Sequence, residues 1–325
     1  MKHTIATIII LFGSFWGFSQ EVNLEPNWKK GAKKSILIKS ETKKSRKEGK
    51  WEIESNEFNA NLLVKEVNKD HYIIKITYKD FFLNTFKHAM DKIGNSPTVQ
   101  KKLNLFFKVS KNGKEFELIN WEDAKAVMNT TFNDLKNALN KKSNNDTLFT
   151  QLINPFSALF TKSTVQSMFS NEMEALLIPY NTSWSKDTVK QTRSELNPFG
   201  KGKKDSLTVH TNSWIKDQNG TILNLGSEQI FDTEKFEEMM KTMMKTMFNG
   251  FMKMAPDTTS SKFTEKKKEL DLLLDNMSFN IERNYSISYD QKKGFVKKFR
   301  NDRKMNGSLM GRPIKTISWS EVSFD

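Results

Sequence analysis

Apolar and polar residues alternate with a period of two over much of the chain, a pattern that predicts β-strands. The predicted strands cover 35–39, 51–67, 72–81, 103–110 and 115–119 in the first half, and 188–196, 207–215, 222–231, 277–289, 294–305 and 313–324 in the second. Asn112-Gly113 and Asn219-Gly220 are strong hairpin signals between such runs. The lysine-rich stretch 43–50 is interpreted as a polar turn region. The alternation predicts antiparallel meanders with one face toward water.

Other segments place their apolar residues at helical spacing instead. These predicted helices cover 84–93, 121–139, 164–178 and 263–274. The strongest pattern runs from Thr233 to Met254, with its apolar residues on one side: Phe236, Met239, Met240, Met243, Met244, Met247, Phe248, Phe251 and Met254. Acidic residues near its start suit the helix dipole, and Pro256 stops the run.

The apolar face of this methionine-rich helix needs a cover, because each such side chain gains about 1.5–3 kcal/mol on burial. Three covers are consistent with the sequence: the protein's own sheet, a partner protein or a lipid-like ligand. Methionine is flexible and polarizable, and it serves in irregular cores and in adaptable binding surfaces alike. If the face lines a ligand cavity, the predicted binding residues are Met239, Met243, Met244, Met247 and Phe251.

Together the elements predict an α+β fold in which amphipathic helices pack on one side of a curved antiparallel sheet, formed as meanders or a half-barrel. The length suits a single domain over 20–325. Two similar halves, 28–180 and 181–325, are an alternative. In each half a hairpin, at 111–113 or at 217–220, leads through a strand to an amphipathic helix.

The first 19 residues predict a secretory signal peptide. A basic start at Lys2 is followed by an apolar run over 4–18, and small residues precede a cut near Ser19. The run is shorter than the ~20 residues that a spanning helix needs, and no later stretch is long and apolar enough. The mature chain is therefore expected in the periplasm or outside the cell. It contains no cysteine, which excludes disulfides and thiolate sites.

The net charge of +14 raises the question of an anionic partner. Lysines cluster at 29–50 and 292–304. We expect no nucleic acid, because an exported protein rarely meets it, whereas anionic lipids, lipopolysaccharide or acidic glycans stay open. The simpler interpretation, which we favour, is that lysines solvate exposed strand faces and discourage pairing between sheet edges.

No motif predicts catalysis, a cofactor or a metal site. The chain has four histidines, scattered over separate segments, and it lacks the zinc-protease, nucleophile-elbow, phosphate-loop and dinucleotide patterns. The basic loop 200–204 precedes a predicted strand, whereas a phosphate loop opens a helix. We therefore predict no catalytic residue, no metal and no cofactor. A hydrolase built from carboxylates distant in sequence is the remaining enzymatic alternative.

A three-part sequence motif lies mainly in the last forty residues. Asn284-Tyr285-Ser286-Ile287-Ser288-Tyr289-Asp290, then Lys293-Gly294-Phe295, then Asn306-Gly307, resembles the ending of exported β-rich domain families of Bacteroidetes whose activity is uncharacterised. The resemblance implies a β-rich ending made of a strand, a glycine turn and two outgoing strands. It also implies an exported location, and it supplies no catalytic residue.

The leading functional hypothesis is therefore an exported, non-enzymatic protein that binds a hydrophobic or lipid-like ligand between its sheet and the methionine-rich helix. The alternative is a structural or protein-interaction module of the cell envelope, with an envelope protein as partner. An unrecognised hydrolase comes third.

Overall fold

The computed structural model describes residues 21–47, 50–79, 102–140, 161–162, 165–166, 169–195, 206–253, 261–309 and 312–325. Its strands are β1 (Lys33–Lys47), β2 (Lys50–Val67), β3 (His71–Tyr78), β4 (Leu103–Ser110), β5 (Phe116–Leu118), β6 (Val189–Glu195), β7 (Leu207–Asn219), β8 (Ile222–Phe231), β9 (Ser278–Asp290), β10 (Phe295–Leu309) and β11 (Arg312–Phe324). Its helices are α1 (Trp121–Asn140), α2 (Ser170–Leu177), α3 (Glu234–Lys253) and α4 (Ser261–Asp275). A 3₁₀ turn, Ile178–Tyr180, follows α2.

These strands form one 11-stranded antiparallel sheet in the order β5-β4-β3-β2-β1-β11-β10-β9-β8-β7-β6. The chain runs outward from β1 to the edge strand β5, re-enters at the opposite edge as β6 and returns to β11. The first and last strands therefore pair at the centre, with Ile36 opposite Phe324. Ser35 and Asp325 close this pairing with reciprocal backbone hydrogen bonds of 2.9 and 3.0 Å.

The predicted α+β class is wrong. The protein is mostly β, because the described residues form eleven strands and four α-helices, and its single sheet is open rather than closed. The reason is that polar segments continue the strands. Within the stretch 43–50, predicted as a turn, β1 extends to Lys47 and β2 begins at Lys50, and Lys44 Nζ lies 3.0 Å from Glu54 Oε2. A ladder needs only backbone hydrogen bonds, and oppositely charged cross-strand pairs stabilise it.

The largest apolar cluster covers the inner face of β1–β4 and the adjoining ends of β9–β11. Alternate residues of β3 and β4 form its centre, including Ile74, Ile76 and Phe107, none of which is exposed. Helix α2 packs against it with Met173 and Leu176. This half of the sheet is a conventional core.

An aromatic hub, formed by Trp28, Tyr72 and Tyr180, joins the segment before β1 to this core. Trp28 Nε1 and the Tyr180 hydroxyl both donate to the Gly294 carbonyl, at 3.1 and 2.9 Å. The Tyr72 hydroxyl donates to the Pro26 carbonyl at 3.1 Å. The hub therefore connects the segment before β1, strand β3, the 3₁₀ turn and the β9–β10 turn.

Several local predictions are confirmed. The methionine-rich segment forms α3 within one residue of the predicted ends, and 263–274 lies within α4. Gly113 and Gly220 have φ of 70° and 60°, as their hairpin turns require. The predicted signal peptide 1–19, the predicted helix 84–93 and loop 200–204 lie outside the described residues, and the division into halves stays a prediction.

Candidate functional site

The inner face of β6–β11, together with the neighbouring strand β1, carries two adjacent rows of polar residues. Residues directly opposite each other in an antiparallel pair share one face of a sheet, so the register defines each row. The first row is Ser213, Ser227, Tyr285, Asn301, Ser320 and Ser40, and the second is Gln191, Thr211, Gln229, Arg283, Arg303, Ser318 and Thr42. We call these two rows the polar belt.

Apolar rows flank the polar belt on both sides of the same face. The register places Leu225, Ile287, Phe299 and Val322 along one side, and Val209, Phe231, Ile281 and Met305 along the other. The belt therefore separates the conventional core from a second apolar zone.

Several belt side chains are buried without a hydrogen-bond partner. Gln229 is 0% exposed, and Ser227, Thr211 and Asn301 are at most 7% exposed. Within the described part of the chain, no partner meets the Gln229 amide, the Thr211 and Ser227 hydroxyls or Asn301 Oδ1. Each such group costs about 1–3 kcal/mol. A bound polar group that reached them would recover much of that cost.

Ser213 is a belt residue whose hydroxyl does have a hydrogen-bond partner. Its hydroxyl donates to the Ser183 carbonyl at 2.8 Å, from the segment that leads into β6. Gln191 on β6 is similar, because its amide donates to Ser183 Oγ at 3.0 Å and accepts from the Ser183 backbone N–H at 3.3 Å. The edge of the belt is thus bonded to protein, whereas part of its middle is not.

Arginines supply the belt's charge. Arg283 lies directly opposite Arg303 on the neighbouring strand. The Arg283 guanidinium lies 4.4 Å from the centre of the Phe231 ring, and its Nη1 donates to the Tyr285 hydroxyl at 3.4 Å. The register also places Glu54 of β2 opposite Thr42, so the second row continues beyond β1 with a carboxylate. A guanidinium fork matches the geometry of a carboxylate or a phosphate.

The second apolar zone continues into α3 and α4. Leu270, Leu274, Met277 and Phe279 are buried there, and Phe236, Met240, Met244 and Met305 pack against them. The start of α3 is fixed to β9, because Glu237 Oε1 accepts from the Phe279 backbone N–H at 2.7 Å. An ion pair of 2.9 Å between Lys245 and Asp271 joins the two helices. The apolar side of α3 therefore adjoins the zone beside the belt.

Met244 alone among the predicted ligand-binding residues has a described side chain, and it is partly buried against this second zone. Met239, Met243, Met247 and Phe251 lie on α3, with side chains outside the described part of the structure. Their proposed role in binding stays a prediction.

The histidines make local contacts. His71 Nδ1 lies 2.7 Å from Asp70 Oδ1, and His210 Nδ1 lies 3.1 Å from Thr192 Oγ1. His88 lies outside the described residues. Among the residues that the structure describes, no group of three or more His, Asp or Glu side chains could hold a metal.

Glu172 of α2 is the buried carboxyl with the most perturbed environment. Burial raises its pKa from an ordinary value of 4.5 to about 7, against smaller lowering effects from backbone hydrogen bonding and the Tyr78 hydroxyl. A pKa near 7 would suit an acid–base catalyst. Glu172 is only 4% exposed and Tyr78 is fully buried, so this carboxyl belongs to the packed core rather than to a substrate site.

The polar belt was not predicted from the sequence, although the alternation of inward and outward residues contained its signal. In β9 the inward positions are Phe279, Ile281, Arg283, Tyr285 and Ile287, so an arginine lies in phase with apolar neighbours. Thr211 in β7 and Gln229 in β8 also occupy inward positions. Recognising the belt required the register, which brings these isolated exceptions together.

No family model and no curated protein matches the chain. Similar solved structures include Ail, the attachment invasion locus protein of Yersinia pestis, at 4% identity over 91% of this chain and 100% of that chain, with a TM-score of 0.15. An outer membrane channel from Pseudomonas putida F1 shows 6% identity over 93% and 98%, also with a TM-score of 0.15. At this TM-score the likeness carries no argument about this chain.

No helix in the described part of the chain combines the length and apolar character needed to cross a membrane.

Proposed function

We propose that the protein is an exported, non-catalytic binding protein for a lipid-like ligand held between the inner face of β6–β11 and helix α3. The observation that carries this proposal is the boundary on that face. Ile281 and Met305 in the apolar row lie directly beside Arg283 and Arg303 in the polar belt. One face therefore offers both surfaces that an amphipathic molecule needs.

The helix supports the same function. Phe236, Met240 and Met244 are only partly buried, although they belong to the second apolar zone. Each methylene of a ligand chain that is buried there would gain about 0.8 kcal/mol. Methionine side chains can adjust to chains of different shape, which suits a lipid site better than a rigid core.

Native mass spectrometry of the protein purified from its own cell envelope tests the proposal. We expect a bound lipid that survives gentle desolvation and is lost on organic extraction. Met305→Gln should weaken the binding of a fluorescent apolar probe. Ile230→Gln is the matched control, because Ile230 is 47% exposed on the other face of the sheet. A ligand-free spectrum with no probe binding would contradict the proposal.

A second candidate function is a protein-interaction module of the envelope. The favouring observation is on the outer face of β2, where Trp51 and Ile53 are 43% and 58% exposed. Lys315 Nζ lies 6.0 Å from the Trp51 ring, which suggests an acidic protein partner. A photo-crosslinking residue at position 53 would trap such a partner in cells, and an uncrosslinked protein would remove this candidate.

A further inference from the structure

We infer that the polar belt recognises an uncharged, hydroxyl-bearing headgroup of the ligand, such as a glycerol or a sugar. This inference rests on the proposed function and adds the chemistry of the headgroup to it. The site consists of Thr211, Ser227 and Gln229 on the neighbouring strands β7 and β8. Arg283 and Arg303 interact with other groups of the protein, so neither is counted among the ligand's partners.

The register brings the three neutral side chains of the site together. Thr211 lies directly opposite Gln229, and Ser227 precedes Gln229 by two positions on the same face of β8. Their backbones therefore lie within about 8 Å of one another, so one small headgroup can contact all three side chains.

The Gln229 amide requires a partner that both donates and accepts hydrogen bonds. Its nitrogen and its oxygen both lack a partner among the described residues, although the side chain is 0% exposed. This holds whichever way the amide is turned. The nitrogen needs an acceptor, and the oxygen needs a donor.

A hydroxyl group meets both requirements, whereas a simple ion meets only one. An oxyanion has lone pairs but no hydrogen to donate, so it would leave the amide oxygen unpaired. A cation would leave the amide nitrogen unpaired. The Thr211 and Ser227 hydroxyls also have no partner in the described part of the chain, and they can donate to the headgroup or accept from it.

A further unpaired acceptor lies in the same row as Ser227. Asn301 is 7% exposed, and its Oδ1 has no partner within the part of the chain that the structure describes. The described part of the belt therefore holds two buried amide oxygens that need a donor. This favours a ligand with several hydroxyls over a carboxylate or a phosphate.

The alkyl chain of such a ligand would extend from the site toward α3. Val209 and Phe231 form the row next to Thr211 and Gln229, and Phe236 of α3 packs against them. Phe236 also packs against the second apolar zone. The route from the belt to the methionine-rich helix is therefore lined by apolar side chains.

Isothermal titration with monododecanoylglycerol, methyl dodecanoate and dodecanoate tests the inference. The three probes share an alkyl chain, but the headgroup of the first donates and accepts hydrogen bonds, whereas those of the other two only accept. We expect the wild type to bind monododecanoylglycerol about tenfold or more tightly than methyl dodecanoate, because buried groups gain partners. Dodecanoate should also bind less tightly than monododecanoylglycerol, since its carboxylate cannot donate to the amide oxygens.

Two glutamine variants connect this preference to the belt. Gln229→Leu should bring the affinities for monododecanoylglycerol and methyl dodecanoate to within about threefold of each other. Gln191→Leu is the matched control and should keep the preference, because the Gln191 amide is already bonded to Ser183. Thr211→Val repeats the test if Gln229→Leu fails to fold, since it removes a hydroxyl and keeps the shape of the side chain.

The outcomes separate this inference from the proposed function. Equal affinities of the wild type for the three probes, or tighter binding of dodecanoate than of monododecanoylglycerol, would overturn the headgroup inference and leave lipid binding in place. Binding of free glycerol without any alkyl probe would support a hydroxyl site and overturn the lipid proposal. Binding of none of these compounds would overturn both.

Discussion

The two halves of the sheet share the alternation of inward and outward residues, but they differ in which residues occupy the inward positions. Every inward position of β3 and β4 is apolar, and this inner face is sealed by α2 and the aromatic hub. On β7–β10 the inward positions change from apolar to polar and back to apolar. A fold needs only the first pattern. The second keeps buried polar groups at a cost in stability, which is typical of a surface retained for function.

The largest effect should come from breaking the sealed half. Phe107 is 0% exposed, with its ring centre 6.1 Å from that of Phe116. Phe107→Ala should lower the free energy of unfolding by about 3–5 kcal/mol in chemical denaturation. Phe106→Ala is the matched control, because Phe106 faces the other side of β4 beside Lys65. Equal losses from the two variants would contradict the assignment of the inner face.

Glu172 makes the sealed half sensitive to pH. Its pKa is raised by burial to about 7, so the folded protein binds a proton more tightly than the unfolded chain does. The stability that this group contributes is complete below pH 4.5 and is lost as the pH rises through about 7, a change of about 3 kcal/mol. Glu172→Gln should remove this dependence of the free energy of unfolding on pH, measured by chemical denaturation at a series of pH values. An unchanged slope would show that Glu172 does not titrate in this range.

The aromatic hub gives a smaller and more local comparison between two turns. Gly294 and Gly220 have nearly the same φ, 61° and 60°. A Cβ at Gly294 would lie 2.9 Å from Asn27 Cβ, whereas at Gly220 it would meet nothing within 4 Å. Gly220→Ala should cost about 1–2 kcal/mol from its backbone alone. Gly294→Ala should cost about 1 kcal/mol or more beyond that, because it also overpacks the hub. Equal thermal shifts would argue against a close contact there.

Much of the secondary structure was predictable because it depends on local signals. The periodicity of α3, the hairpin glycines and the alternation of β3 and β8 are all readable over a few residues. The fold class was not, because it depended on whether polar stretches such as 43–47 continue a strand. Local propensity does not decide whether a polar stretch becomes a strand, because that depends on pairing with a distant strand. Strand β1 pairs with β11, almost three hundred residues away in sequence.

The candidate site was less predictable than the fold. Each belt residue is a single polar exception in its own strand, and only the register joins Thr211, Gln229 and Arg283 into one surface. The methionine-rich helix was the visible signal, and Met244 does pack beside this surface. Sequence alone had no means of placing an arginine next to it.

The central claim is that the belt keeps unpaired polar groups for a ligand, and exchanging Gln229 tests it most directly. Gln229→Leu should raise the ligand-free free energy of unfolding by about 1 kcal/mol, since it removes a buried amide with no partner among the described residues. Gln191→Leu, in the same row, should lower it by a similar amount because that amide is bonded to Ser183. Gln229→Leu should also weaken the binding of dodecanoate, an amphipathic probe whose carboxylate can accept a hydrogen bond from the Gln229 amide. A loss of stability in Gln229→Leu as large as that in Gln191→Leu, with dodecanoate affinity unchanged, would contradict the account.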